Sequence, residues 1–265
     1  MTEKERNAVY AVLKEKYNPE GSKLRKYQLH LLDTLKEFDA VCREHNIIYY
    51  LAYGTLLGAI RHKGFIPWDD DADLWMDREN YTKLEKLMKG EHRQLSKNVY
   101  VADGIRPELW SPPYAYIDIF ILDYTPNNKF LAIIKETAAI FMYVMVKCRG
   151  RIDNHKFGKF KPYFIMAPFA YIFSLAKWKS LYKRVQMWFS KKSKYFQVFN
   201  SVSWDIKRKY PSTDWKPIEV EFEDHNFFAP NGWDEILTIR YGDYMKIPQM
   251  NERREHGIVE NIEVK

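Results

Sequence analysis

Apolar residues recur along the chain at two spacings, which separate helices from strands. Steps of three and four residues predict an amphipathic helix from Ser22 to Asn46, with Ser22 as its N-cap, and a helix over 78–89 that Asp77 caps. Runs of β-branched and aromatic residues predict strands over 47–53, 100–102 and 114–123, and a hairpin over 215–230. A helix over 233–241 then ends at Gly242.

One stretch, from Tyr49 to Met76, concentrates the polar chemistry. It begins as an apolar strand and turns at Gly54 and Thr55 into a short helix, whose first N–H groups would point at an anion. A basic segment with Arg61 and Lys63 follows, and a loop leads to a strand rich in aspartates. The sequence therefore predicts strand, helix start, loop and strand in this order.

Three carboxylates stand out. Asp71 and Asp73 are two residues apart, so a strand would direct both side chains to one face. Asp118 lies inside the apolar run of a later strand, where a lone charge is costly unless it is paired or bound to a metal. A hard divalent cation such as Mg²⁺ or Mn²⁺ would offset the repulsion between neighbouring carboxylates. Because Mg²⁺ usually completes its coordination shell with water and substrate phosphate, the pattern favours a site that handles phosphate. The alternative is a solvated acidic turn.

Charge and cysteine content narrow the choice of partners. The 265 residues carry a net charge of +7, which favours acidic partners such as nucleotides, anionic lipid or phosphorylated glycans. No zinc-finger, RNP or basic-zipper pattern supports nucleic acid as a partner.

The cysteines Cys42 and Cys148 suggest packed thiols in a reducing compartment, and the N-terminus has no apolar signal sequence. We therefore expect a cytoplasmic protein.

Residues 130–194 combine apolar runs with many basic residues. An apolar helix is predicted over 130–146, and a second apolar run covers 163–175. The first is shorter than the roughly 20 apolar residues that a membrane span needs. Two interpretations stay open: an interfacial element in peripheral contact with the inner face of the cytoplasmic membrane, and an ordinary helical subdomain with a solvated basic face.

The residues YGTLLGAIRHKGFIPWDDD at 53–71 resemble the LicD family, which includes bacterial phosphocholine transferases and is related to the fukutin-related proteins. The resemblance returns at 117–123 and 241–248. It implies an α/β (α+β) fold, with a nucleotidyltransferase-like mixed sheet flanked by helices and a helical, basic, aromatic-rich insertion. The implied domains are a core with an N-terminal helix over 1–126, the helical region over 127–214, and a hairpin–helix element over 215–265 that completes the core.

The function implied by the resemblance is a metal-dependent phosphotransferase. It would move a phospho-substituted group, such as phosphocholine, from a CDP-linked donor to a hydroxyl of a cell-surface glycan and release CMP. Lipopolysaccharide, teichoic acid and capsule are all candidate acceptors, free or linked to lipid. The transferred group itself stays open among choline, ribitol, glycerol and sugar phosphates.

The resemblance also assigns roles to residues. Asp71, Asp73 and Asp118 would hold one or two Mg²⁺ (or Mn²⁺) ions, and Asp118 is the first candidate for the general base. Phosphate contacts are expected from the Gly-Thr turn and the basic segment, namely Gly54, Thr55, Leu56, Arg61 and Lys63.

Two other functions remain as alternatives. One is a nucleotidyltransferase that keeps the nucleoside monophosphate and releases pyrophosphate. The other is a non-enzymatic protein that binds glycan or lipid through the basic aromatic region. The intact pair of aspartates argues against the second.

Overall fold

The computed structural model describes residues 3–89, 94–96, 99–102, 116–153, 162–189, 193–200 and 206–248. The helices in these ranges are α1 (Glu3–Tyr17), α2 (Lys23–Glu44), α3 (Tyr53–His62), α4 (Arg78–Leu87), α5 (Lys129–Asp153), α6 (Pro162–Ala170), α7 (Leu175–Gln186) and α8 (Trp233–Tyr241). The strands are β1 (Tyr50–Leu51), β2 (Asp73–Asp77), β3 (Tyr100–Ala102), β4 (Tyr116–Thr125), β5 (Tyr195–Val198), β6 (Tyr210–Pro211), β7 (Pro217–Phe222) and β8 (His225–Pro230). These elements confirm the α/β (α+β) class.

The chain divides into two compact units. Unit 1 comprises the described parts of Met1–Ala102, Ser111–Ile119 and Asp214–Lys265. Unit 2 comprises the described parts of Asp103–Trp110 and Phe120–Thr213. Strand β4 begins in unit 1 and ends in unit 2. The last part of the predicted hairpin–helix domain, beyond residue 248, lies outside the described residues.

The sheet of unit 1 is mixed, as predicted. β1 is antiparallel to β2, with Leu51 opposite Leu74, and β3 is parallel to β4, with Ala102 opposite Asp118. β2 adjoins the start of β4, where the Asp118 N–H donates to the Ala72 carbonyl at 3.0 Å. Asp118 therefore lies on a strand with neighbours on both sides.

The first predicted strand, over 47–53, is wrong in length. The Ile47 N–H donates to the Cys42 carbonyl at 2.8 Å and the Ile48 N–H to Asn80 Oδ1 at 2.9 Å, so neither joins the ladder. Tyr53 already belongs to α3, which leaves Tyr50–Leu51 as β1. The strand that was predicted to carry both Asp71 and Asp73 begins only at Asp73, as β2.

Two predicted helices and their caps are confirmed. The Ser22 hydroxyl accepts from the Arg25 N–H at 3.1 Å at the start of α2, and Asp77 accepts from the Asn80 N–H at 2.8 Å at the start of α4. Such caps satisfy N–H groups that the first helical turn leaves without an acceptor. The apolar side of α2 is buried in unit 1, as its periodicity predicts.

The predicted hairpin and the helix after it are confirmed as β7, β8 and α8. Several polar contacts join the hairpin to α2. Arg25 forms two hydrogen bonds with the Glu223 carboxylate, at 2.8 and 3.0 Å, and the His225 imidazole lies 3.0 Å from Asp39. These contacts fix the hairpin, and α8 follows it along the chain.

Unit 2 has its own core. Apolar side chains of α5, α6 and α7 pack there with Phe199, which follows β5; those of the helices include Ala139, Met145, Val146, Cys148, Ala170, Trp178 and Tyr182. β4 is antiparallel to β5, with Leu122 opposite Val198, and β5 is antiparallel to β6. Helix α5 is longer than predicted, and α6 contains Pro168 shortly before it ends.

Both cysteines are free and buried, as the sequence predicts. Burial raises the pKa of the Cys42 thiol, and Asp39 adds to this effect. Within the described ranges, no helix combines the length and the apolar character that crossing a membrane requires.

Candidate active site

Helix α3 begins at a strained and crowded position. Tyr53 has a φ of +41°, which residues with side chains seldom adopt and which often marks functional sites. A Cβ atom on Gly54 would lie 2.7 Å from Asp69 Oδ2, closer than real Cβ contacts allow. Glycine at this position therefore lets the Asp69 carboxylate approach the first turn of α3. Oxyanions are favoured there by the helix dipole and the unpaired N–H groups.

The second residue of the Gly-Thr turn is tied to the acidic strand. Thr55 Oγ1 accepts a hydrogen bond from the Asp73 N–H at 2.9 Å, and the Asp73 carbonyl accepts from the Ala52 N–H at 2.9 Å. Both backbone groups of Asp73 are thus bound to residues at the start of α3. Thr55 and Asp73 are also buried. The predicted neighbourhood of helix start and acidic strand is present.

The three predicted metal ligands lie on neighbouring segments. Asp71 and Asp73 flank Ala72, whose carbonyl accepts from the Asp118 N–H. Asp71 precedes β2 instead of lying on it, because the strand begins at Asp73. Asp73 and Asp118 are buried, whereas Asp71 is partly exposed.

The chemistry of these carboxylates fits a hard divalent cation, but the described residues include no group of three acidic, histidine or cysteine side chains arranged to hold a metal. Mg²⁺ commonly takes one or two protein carboxylates and completes its shell with water and substrate phosphate. The arrangement is thus compatible with a metal that binds together with a phosphorylated substrate. The metal-ligand assignment stays a prediction.

Helix α8 brings a cation and a phenol to the same place. The Arg240 guanidinium lies over the Tyr53 ring, 5.3 Å from its centroid. Tyr53 directly precedes Gly54 in the sequence. The pKa of the Tyr241 hydroxyl is raised, mainly by burial and further by the nearby Asp73 and Asp69 carboxylates, although Arg240 opposes the shift. Tyr241 is 39% exposed as a whole, and its hydroxyl lies near the acidic cluster.

The predicted basic contacts lie elsewhere on α3. The Arg61 guanidinium is buried and donates to the carbonyls of Tyr244 at 2.8 Å and Lys246 at 3.3 Å. Lys63 is the exposed C-cap of α3, about 13 Å along the helix axis from Gly54 at 1.5 Å per residue. The structure therefore keeps Lys63 away from the start of α3, whereas the Arg61 guanidinium lies close enough to Asp69 and Tyr241 to interact with them electrostatically. The phosphate contacts of both residues stay predictions.

Leu56, the remaining predicted contact, is fully buried, and its N–H donates to the Ala52 carbonyl at 2.9 Å. That N–H is thus engaged inside the helix. The N–H groups of Gly54 and Thr55 precede it, in the part of the first turn that has no acceptor within a helix. These two are the better placed of the predicted backbone donors.

Sequence reasoning did not select Arg240 and Tyr241. They lie more than 160 residues after the Gly-Thr turn, and no local pattern links the two regions. The one available signal was the resemblance at 241–248, which begins at Tyr241. Asp69 was visible in the acidic run, but its contact with Gly54 depends on how the loop folds back.

A cavity of about 610 Å³ lies in unit 1 at the opposite end of α3. Its lining includes Tyr10, Lys14, Arg25, Arg61 and Lys63, and none of the predicted metal ligands. We place the candidate site at the acidic cluster, because the cavity lacks the predicted metal ligands while the cluster combines them with a helix start and a cation.

Comparison with known proteins identifies the relatives of this chain. Residues 46–138 match the LicD/FKTN/FKRP nucleotidyltransferase domain. The chain is 29% identical over 257 residues to the lipopolysaccharide cholinephosphotransferase LicD of Haemophilus influenzae, which covers 89% of this chain and 97% of that protein. It is also 39% identical over 150 residues to an uncharacterized protein of Rickettsia prowazekii, across 54% of this chain and 46% of that protein. The chain therefore contains a nucleotidyltransferase domain of the LicD/FKTN/FKRP family over residues 46–138 and is similar along most of its length to a LicD cholinephosphotransferase.

Proposed function

We propose that this protein transfers phosphocholine from a CDP-linked donor to a hydroxyl of a cell-surface glycan, with lipopolysaccharide as the first candidate acceptor. The observation that carries the choice of substrate is the similarity over 97% of the length of a lipopolysaccharide cholinephosphotransferase. The site geometry supports the reaction class, because a helix start, buried carboxylates and a cation meet at one place.

The bond changes of the proposed reaction are those of a phosphoryl transfer. The acceptor oxygen bonds to the phosphorus that carries choline, and the bond from this phosphorus to the bridging oxygen of the diphosphate breaks. CMP leaves with that oxygen, and the proton of the acceptor hydroxyl passes to a carboxylate. We assign this proton to Asp118, which is buried beside the loop that carries Asp71.

The N–H groups of Gly54 and Thr55 are the proposed donors to the diphosphate. They lie in the first turn of α3, where the helix dipole favours negative charge. The Arg240 guanidinium over Tyr53 adds a full positive charge at the same end of the helix. We therefore propose Arg240, in place of Lys63, as a basic contact of the donor.

A divalent metal, Mg²⁺ or Mn²⁺, belongs to this proposal. Asp71, Asp73 and Asp118 would hold it, and when bound it would offset the charge of the diphosphate and of the leaving CMP. Thr55 fixes the backbone of Asp73, so this carboxylate is positioned by the helix that would also bind phosphate.

Donor hydrolysis tests the proposal without the acceptor. The purified protein is mixed with Mg²⁺ and CDP-choline, CDP-ribitol, CDP-glycerol or CTP, and products are followed by phosphorus NMR, with a chelator as the metal control. We expect CMP and phosphocholine from CDP-choline, and faster turnover when lipopolysaccharide is added.

Three results would contradict parts of the proposal. CMP from another CDP compound would change the transferred group, and pyrophosphate from CTP would favour a nucleotidyltransferase. Absence of CMP from every donor, with and without lipopolysaccharide, together with absence of metal-dependent binding of CDP compounds, would overturn the reaction class.

A further inference from the structure

Helix α5 exposes apolar side chains on one side while it buries others in the core of unit 2. Phe130 is 70% exposed and Ile133 is 59% exposed, and Ile134, Ile140 and Phe141 are exposed as well. Ile133 and Ile134 come three and four residues after Phe130. Ile140 and Phe141 come seven residues after Ile133 and Ile134, which places all five side chains on one face of the helix. Large apolar side chains that share an exposed face mark an interaction surface.

The last residues of α6 and the residues that connect it to α7, together called the α6–α7 turn, extend this surface. The exposed side chains of this segment are large and apolar: Phe169, Tyr171, Ile172 and Phe173. Trp178 of α7 joins the two parts, because its ring centroid lies 6.4 Å from that of Phe141 and 5.1 Å from that of Phe173. We call these exposed residues of α5 and of the α6–α7 turn the apolar face.

Basic residues border the apolar face. The Arg149 guanidinium lies 5.3 Å from the centroid of the Tyr171 ring, and Lys177 and Lys179 are exposed at the start of α7. Residues 120–213 contain 18 Lys and Arg but 4 Asp and Glu, a net charge of +14 in a chain whose total is +7. The remaining residues thus carry −7, and the positive charge is concentrated in the segment that forms the apolar face.

We propose that the apolar face docks on the surface of an anionic lipid bilayer, with the apolar side chains at the level of the headgroups and upper acyl chains and the basic residues on lipid phosphates. Exposed apolar area bordered by Lys and Arg is what interfacial binding requires. A second copy of the chain fits less well, because face-to-face pairing would bring two positive borders together. This inference does not depend on the proposed reaction.

The test is sedimentation of the full-length protein with vesicles. One set of vesicles contains phosphatidylcholine alone, and the other adds phosphatidylglycerol to about 30%. We expect binding to the anionic vesicles that weakens at least about tenfold in an Ile133→Ser/Ile172→Ser double variant, because interfacial affinity scales with buried apolar area. A Lys177→Glu/Lys179→Glu variant should lose binding to a similar extent.

Matched variants in unit 1 control for hydrophobicity and charge. Val12 is 67% exposed on α1, so Val12→Ser removes an exposed apolar side chain elsewhere, and Lys23→Glu/Lys26→Glu makes the same charge change on α2. Both should bind as the unaltered protein does. Circular dichroism and thermal unfolding establish that each variant is folded.

Three outcomes would overturn the proposal. The unaltered protein could fail to sediment with anionic vesicles, or the unit 1 variants could lose binding as much as the apolar-face variants. Light scattering could also reveal a dimer that Ile133→Ser/Ile172→Ser dissociates without any change in vesicle binding, in which case the face is an interface between copies.

Discussion

The hydroxyl oxygen of Thr55 accepts a hydrogen bond from the backbone N–H of Asp73 at 2.9 Å. Thr55 belongs to the first turn of α3, and Asp73 is the first residue of β2. One buried contact therefore links the helix start that is proposed to bind phosphate to a carboxylate that is proposed to bind metal.

Removal of the Thr55 hydroxyl should affect both stability and activity. In Thr55→Val the Asp73 N–H loses its acceptor in a buried place, so we expect the free energy of unfolding to fall by about 1–3 kcal/mol. We also expect donor hydrolysis to fall, because Asp73 is no longer fixed. Urea unfolding and the phosphorus NMR assay measure the two effects. Thr55→Ser keeps the hydroxyl, and equal losses in both variants would contradict this role.

Neutralising either aspartate of the acidic pair should abolish turnover and leave the fold intact. Asn has nearly the shape of Asp but no charge, so Asp71→Asn and Asp73→Asn remove metal affinity with little change in packing. CMP release with CDP-choline and Mg²⁺ is the measurement, and circular dichroism checks the fold. Asp33→Asn, at an exposed position of α2, is the control. Retained turnover in either site variant would refute the metal-ligand assignment.

Arg240, and not Lys63, should set the affinity for the donor. Because the Arg240 guanidinium lies beside the start of α3, we expect Arg240→Gln to raise the KM for CDP-choline about tenfold or more, as loss of a charged hydrogen bond of 1.5–3 kcal/mol implies. Lys63→Gln, at the other end of the helix, should leave the KM within about twofold. A larger rise of the KM in Lys63→Gln than in Arg240→Gln would instead assign the phosphate contact to Lys63.

His62 should make the protein less stable in mild acid. Burial, and secondly the charge of Arg61, lower the pKa of the imidazole to about 3. Between pH 6.5 and 3 the unfolded chain therefore binds a proton that the folded protein does not. The free energy of unfolding decreases by up to about 1.4 kcal/mol for each unit by which the pH is lowered in this range. Urea unfolding between pH 6 and pH 4 measures this slope.

The matched variants for this effect are His62→Gln and His30→Gln. His62→Gln keeps an acceptor for the side-chain Nε–H of Arg61, whose nitrogen lies 3.0 Å from His62 Nε2. It removes the titrating group, so the slope of unfolding free energy against pH should be shallower. The second changes an exposed histidine of α2 and should leave the slope as it is. Equal slopes in all three proteins would exclude His62 as the cause.

The sequence was sufficient where structure depends on nearby residues. The caps Ser22 and Asp77, the hairpin and the end of α8 at Gly242 follow from spacing and side-chain chemistry within a few positions. The pairing of the Gly-Thr turn with the acidic strand was also predictable, because the two segments are close in the chain. The end of the first strand was not, since Ile47 and Ile48 bond outside the ladder.

The basic residue of the candidate site, Arg240, could be identified only from the structure. The sequence predicted Lys63 as a contact close to Gly54, but a helix carries residues away from its start at about 1.5 Å each, and Lys63 lies at the other end of α3. Arg240 reaches Tyr53 because the hairpin docks on α2 through Arg25 and Glu223. Such long-range packing leaves no periodic trace in the sequence.

The position of α8 in the chain has a consequence for synthesis. Gly54, Asp73 and Asp118 are translated in the first half of the protein, whereas Arg240 follows after all of unit 2. A chain still on the ribosome thus presents the carboxylates before the cation that is to face the donor has been made. If Arg240 sets donor affinity, a nascent chain stays inactive until α8 emerges, and translation order itself delays the first turnover.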